Sequence, residues 1–154
     1  MSRKYFGFIL AGFAFIFFLT LSLYEGSNLV EDVFEWPRST PFTHLLVSDP
    51  IFPQDIVWLD FFVYAIKFYP VYPIMTLICA TLLLFLTIQK LNSSRKWYSS
   101  ILEILFGFLI LYTSASFFTA DSFGSTVFRH GLSLVGYLLV LHAGYSIFRR
   151  KTSH

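Results

Sequence analysis

Apolar residues fall along this chain in long runs near 5–24, 71–89, 99–118 and 131–148, and the segments between them carry nearly all of the charge. A hydrocarbon core of roughly 30 Å needs about 20 helical residues, so each run is long enough to be read as one span. Helices are required, because backbone amides in hydrocarbon must be satisfied within their own segment. Barrel strands would alternate in polarity, and a stretch such as Ala14-Phe15-Ile16-Phe17-Phe18-Leu19 does not. The pattern predicts an all-α membrane protein of four transmembrane helices in one domain, 1–154.

The long segment 25–70 between the first two runs changes character midway. Its first half is acidic and holds Pro37, Pro41, Pro50 and Pro53, which predicts an ordered but irregular loop. From Ile56 to Ile88 the chain is continuously apolar, too long for one span without a large tilt. Pro70 and Pro73 supply a reason to divide it. The expectation is a short interfacial helix near 54–69 followed by span two, and the alternative is one long kinked helix. The segments 90–98 and 119–130 are short, so spans two and three, and likewise three and four, should be antiparallel neighbours. Small residues mark the seams where helices can approach closely in lipid: Gly7, Ala11 and Ala14 in span one, Gly107 in span three, and Ser133, Gly136, Val140, Ala143 and Gly144 in span four.

Charge then fixes orientation. Arg3, Lys4, Lys90, Arg95, Lys96, Arg149, Arg150 and Lys151 flank alternate ends of the spans, whereas every carboxylate except Glu103 lies in the other segments. Cationic residues in short loops resist translocation, so both termini are expected in the cytoplasm of a plasma membrane, with 25–70 and 119–130 extracytoplasmic. The composition agrees. With 56% hydrophobic and 13% charged residues, the chain has too little polar surface to cover a soluble globule. A net charge of +2, spread over juxtamembrane clusters, gives no support to nucleic-acid binding and instead faces lipid headgroups. Cys79 is the lone cysteine, which excludes an intrachain disulfide and the chemistry of quinone-linked thiol oxidases.

Two ionisable residues lie inside spans, Glu103 and His142. Such residues are costly in lipid and are candidates for function. Glu103 is four residues into span three and His142 six from the end of span four, depths of roughly 6 and 9 Å at about 1.5 Å per residue. They are therefore expected to share a hydrogen bond. The functional reading is a proton-responsive pair, since burial opposes ionisation of a carboxylate while a neighbouring carboxylate favours a charged imidazole. The structural reading has Glu103 reaching towards Arg95 and Lys96, and His142 bonded to a helix carbonyl.

Outside the spans, Trp36, Trp58, Asp60, Tyr64 and Lys67 form a candidate lid surface. The aromatic rings would bury against the helix mouths, and Asp60 and Lys67 would find partners in water or headgroups. Glu31, Asp32, Glu35 and His44 match no compact cation loop and read as a solvated acidic face. Arg129 and His130 could pair with Asp121. Ser125 and His130 make a weak nucleophile and base, lacking a third group. No G-x-S-x-G elbow, H-E-x-x-H helix or phosphate-binding glycine loop occurs. Neither cofactor nor metal is expected.

The most individual text is Tyr24-Glu25-Gly26-Ser27, Glu35-Trp36, Ser39-Thr40-Pro41-Phe42 and the run Leu59-Asp60-Phe61-Phe62-Val63-Tyr64-Ala65-Ile66-Lys67-Phe68. Across about residues 20–75 it resembles the YjdJ-like small integral membrane proteins of Gram-positive bacteria. That resemblance implies a bacterial plasma membrane and transfers no catalytic or binding residue. The leading expectation is a non-enzymatic accessory or structural membrane subunit that works through contacts with lipid, a membrane-protein partner or its own copies. A small transporter or channel component using Glu103 and His142 is the first rival. The second is an outer-surface lipid-modifying enzyme using Asp60 with His44 or His130.

Overall fold

The computed structural model describes residues 3–48, 52–91, 96–116 and 122–152. The described residues contain helices and turns and no strand. Helix α1 covers Arg3–Gly26, and after single turns at Ser27–Val30 and Val33–Glu35 come two one-turn helices, α2 (Trp36–Ser39) and α3 (Pro41–His44). A 3₁₀ turn, Pro53–Asp55, precedes α4 (Trp58–Phe68), which is followed by α5 (Val71–Leu91), α6 (Lys96–Ser116) and α7 (Phe123–Lys151). Three helical stretches, Phe6–Val30, Val71–Ile88 and Phe123–Arg149, are long and apolar enough to cross a membrane, while Ser100–Ala115 in α6 is a shorter apolar stretch.

Proline punctuation sets the elements between α1 and α5. Pro37 and Pro41 occupy the first turns of α2 and α3, where a missing N–H costs no intrahelical bond. Tyr69 closes α4 with its N–H on the Ala65 carbonyl (2.7 Å) and leaves the helical region at φ −131°, ψ 53°. Pro70 follows, so the long apolar stretch is two helices and not one kinked one. The helix expected near 54–69 begins later than predicted, at Trp58, because Ile56 and Val57 are extended. The segment expected to be irregular is a series of single helical turns. Helix α7 also starts earlier than span four was expected to: Ser122 caps it, its hydroxyl accepting from Ser125 N–H at 3.1 Å.

Helices α1 and α5 pack as one pair and α6 and α7 as another, whereas α5 and α6 meet at few positions, unlike the close neighbours predicted from their short connection. In the α6–α7 pair, numbering rises along one helix as it falls along the other. Ser100 faces Ser146 (3.5 Å), Gly107 faces Gly136 and Ser114 faces Ser133 (2.6 Å). The expected seam residues Gly107 and Gly136 make the approach possible, since a methyl on Gly136 would lie 3.1 Å from the Gly107 carbonyl oxygen. Gly7 and Gly144 face open space instead. Between α1 and α5, the buried Ser22 and Thr76 hydroxyls meet at 3.2 Å.

Helix α4 joins everything. One face, with Phe61 and Tyr64, closes a cluster with Leu29, Trp36 and Ile56 in the outer segment. The other, with Phe62 and Ile66, packs on Phe128 and Leu132 of α7, Ile74 and Leu77 of α5, and Ile110 of α6. Glycine permits the closest contacts: Gly26 lies against the Phe61 carbonyl and Gly124 against those of Ile66 and Lys67, so a side chain at either position would overlap α4 backbone.

Candidate functional site

Apart from the Ser22–Thr76 pair, the side-chain hydrogen bonds between elements gather in two places, the 27–70 segment around α4 and the α6–α7 seam. The centre of the first is Asp60, fully buried at 0% exposure. Its Oδ1 accepts from Phe42 N–H (2.9 Å), and its Oδ2 accepts from Thr43 N–H (2.7 Å) and the Thr43 hydroxyl (2.6 Å). These amides belong to the first turn of α3, which lacks a side-chain cap from its own Thr40. Asp60 therefore caps α3 from a different helix, supplying the negative charge that helix starts favour. Thr43 passes the linkage on by accepting Val57 N–H at 2.9 Å. The sequence reading of Asp60 as a water or headgroup partner is corrected: side chains on one face of a helix, three and four residues apart, are buried once another segment folds across it, and residues 36–44 do so here.

Lys67 is corrected in the same way. Its ammonium forms an ion pair with Glu35, which also accepts from the Ser39 hydroxyl at 2.9 Å. Tyr64 donates to Asp32 Oδ2 at 3.2 Å, and the Trp36 indole N–H donates to the Leu29 carbonyl at 2.8 Å. His44 Nδ1 donates to the Thr40 carbonyl at 2.7 Å. Hence Glu31, Asp32, Glu35 and His44 do not form one solvated acidic face: Glu31 is exposed while the others face different partners. Trp58, by contrast, stays largely exposed and does not bury against the helix mouths. Among the described residues no three His, Cys, Asp or Glu gather as a metal site. Asp121 lies outside the described residues, and with it the expected pairing to Arg129 and His130. Ser125 bonds the Ser122 hydroxyl (2.7 Å).

The Lys67 hydrogen bond holds the Glu35 carboxyl below its ordinary value of 4.5, assisted by Ser39 and opposed by desolvation. Burial first, then the charge of Asp32, pushes the Tyr64 phenol up to about 12. For a carboxyl lowered by folding, the stabilisation is complete above the unfolded value and is lost as pH falls through the folded one. Glu35→Gln should therefore destabilise the protein by about 1–3 kcal/mol at pH 7. In thermal unfolding in detergent, the difference from wild type should shrink on acidification below pH 4.5.

The second place is the predicted intramembrane pair. His142 Nδ1 lies 3.0 Å from Glu103 Oε2, with the Glu103 side chain 5% and the His142 side chain 50% exposed. Phe85 of α5 presents its ring edge-on to the imidazole at 5.1 Å. The pair forms across the α6–α7 seam, with the imidazole turned to the carboxylate and not to a helix carbonyl. Sequence reasoning missed Phe85, Thr43, Gly26 and Gly124. Only the glycines left a signal, each standing where an apolar helix ends or begins.

The class these features define is a helical protein with three helices long and apolar enough to cross a membrane and an elaborated segment between its first two long helices. The chain belongs to the family described as "Domain of unknown function (DUF4306)", which matches residues 5–92. It is similar to "Uncharacterized protein YjdJ" of Bacillus subtilis (strain 168), 32% identical over 87 residues that cover 53% of this chain and 80% of that protein. No solved structure matches the chain. The family match takes in α1, the outer segment and α5, and leaves the α6–α7 pair outside it.

Proposed function

We propose that this is a four-pass plasma membrane protein, both termini cytoplasmic, whose outer segment is a preassembled contact surface acting through lipid or protein rather than by catalysis. The observation that carries the reading is the use made of the outer polar groups. Both Asp60 oxygens, Glu35, Lys67 and Tyr64 are committed to holding 27–70 in shape, while large apolar side chains remain outside. A surface so arranged is organised to be touched. The family match, which centres on this segment, supports the same reading. Helix α6, at 21 residues and about 1.5 Å each, has the length to act as the remaining span. The test is labelling of single cysteines by a membrane-impermeant maleimide in intact cells. Glu31→Cys should react and Arg150→Cys should react only after permeabilisation; the reverse pattern overturns the reading.

A second reading rests on the 3.0 Å contact of Glu103 with His142. In it the pair is a proton-responsive element of a transport pathway that several copies would enclose, four helices being few for one. Glu103→Gln and His142→Gln should then show a coupling energy of about 0.5–3 kcal/mol in a double-mutant stability cycle. Proteoliposome flux should fall with Glu103→Gln, and unchanged flux rejects the transport role even where the coupling stands.

A further inference from the structure

Between Val33 and Ser48 the outer segment exposes large apolar side chains to an unusual degree: Phe34 92%, Leu45 80% and Leu46 76%, with Phe42 beside them. Soluble surfaces rarely leave such a group uncovered, so something apolar covers it. Three observations point to one occupant. First, the single carboxylate between Val33 and Ser48, Glu35, is turned inward onto Lys67 and Ser39, which leaves Arg38 and His44 as the exposed ionisable side chains of those sixteen residues. A basic, apolar face without an acid is complementary to anionic phospholipid headgroups. Second, the stretch is strapped across the helix ends: Trp36 is bonded to Leu29, just beyond the end of α1, and Glu35 to Lys67 beside the start of α5. Third, the residues at those same ends, Tyr24 in α1 and Val71 in α5, are also apolar and exposed, as the sides of helices set in lipid are.

We propose that residues 33–48 form a monotopic anchor seated in the outer leaflet, with Phe34, Phe42, Leu45 and Leu46 at the boundary of headgroups and acyl chains and Arg38 among the lipid phosphates. The inference rests on the proposed topology and adds what the contact surface contacts. Glu31, exposed on the same segment, remains in water. Helix α4 is then held between the bilayer-immersed turns on one side and the spans on the other.

Spin-label accessibility tests it. The full chain carrying Cys79→Ser is labelled at Phe34→Cys, Leu46→Cys or Glu31→Cys and reconstituted in vesicles of phosphatidylglycerol and phosphatidylethanolamine. These positions are exposed, so the labels displace no packing. The ratio of collision with oxygen to collision with a water-soluble nickel chelate should be several-fold higher at Phe34 and Leu46 than at Glu31. Ratios at all three positions equal to one another and dominated by the nickel chelate overturn the anchor and leave the patch to a protein partner. Maleimide labelling of Glu31→Cys from outside, in intact cells carrying the Cys79→Ser protein before spin labelling, separates that outcome from failure of the topology itself.

Discussion

Asp60→Ala is expected to be among the most damaging single substitutions in this protein. Removing the carboxylate leaves the Phe42 and Thr43 amides and the Thr43 hydroxyl without their acceptor in a fully buried site. Each orphaned buried donor costs about 1–3 kcal/mol, so a combined loss of about 3–6 kcal/mol follows even with partial relaxation. Against a typical total of about 5–15 kcal/mol, that endangers the fold. Asp60→Asn should be milder, because its amide oxygen still accepts while its NH₂ confronts a donor. Thermal unfolding in detergent gives the ranking, and limited proteolysis between Val33 and Val57 shows where the damage lies. An alanine variant as stable and as protease-resistant as wild type would remove Asp60 from the role of cap.

Gly26→Ala and Gly124→Ala come next. A methyl at either position overlaps a main-chain carbonyl of α4, which cannot swing aside as a long side chain would. Overpacking of this kind costs about 1–3 kcal/mol, and more where backbone must move. Gly7→Ala is the matched control. It meets nothing within 4 Å, and alanine is favoured over glycine in a helix by up to about 1 kcal/mol, so its effect should have the opposite sign. A common sign for all three in melting experiments would mean that α4 does not sit against Gly26 and Gly124.

The parts of this architecture that could be read from sequence are those encoded by residues acting locally. Pro70 breaks the long apolar stretch because a missing N–H leaves its mark wherever the chain goes. The meeting of Glu103 with His142 follows from depth, counted from the same end of two neighbouring antiparallel helices. Gly107 and Gly136 announce a close seam for the same reason. What escaped is what depends on a distant segment. Asp60 and Lys67 look solvent-bound on an isolated α4, since nothing in their spacing reveals that residues 36–44 fold over them. Helices α2 and α3 are each one turn long, too short for a helical period to register, and α3 borrows its cap from α4. The packing of α5 on α1 is not legible in the short 92–95 connection, because a short connection permits adjacency without enforcing it.

The position of α4 between two clusters has a consequence for biogenesis. Its inner face needs Phe128 and Leu132, which are synthesised about sixty residues after Ile66; at roughly 5–20 residues per second the interval is about 3–12 s. Until then the face of α4 that carries Phe62 and Ile66 lacks its α7 partners. A nascent chain stalled before Phe128 would therefore leave that apolar face of α4 open and adhesive to whatever insertion factors stand nearby.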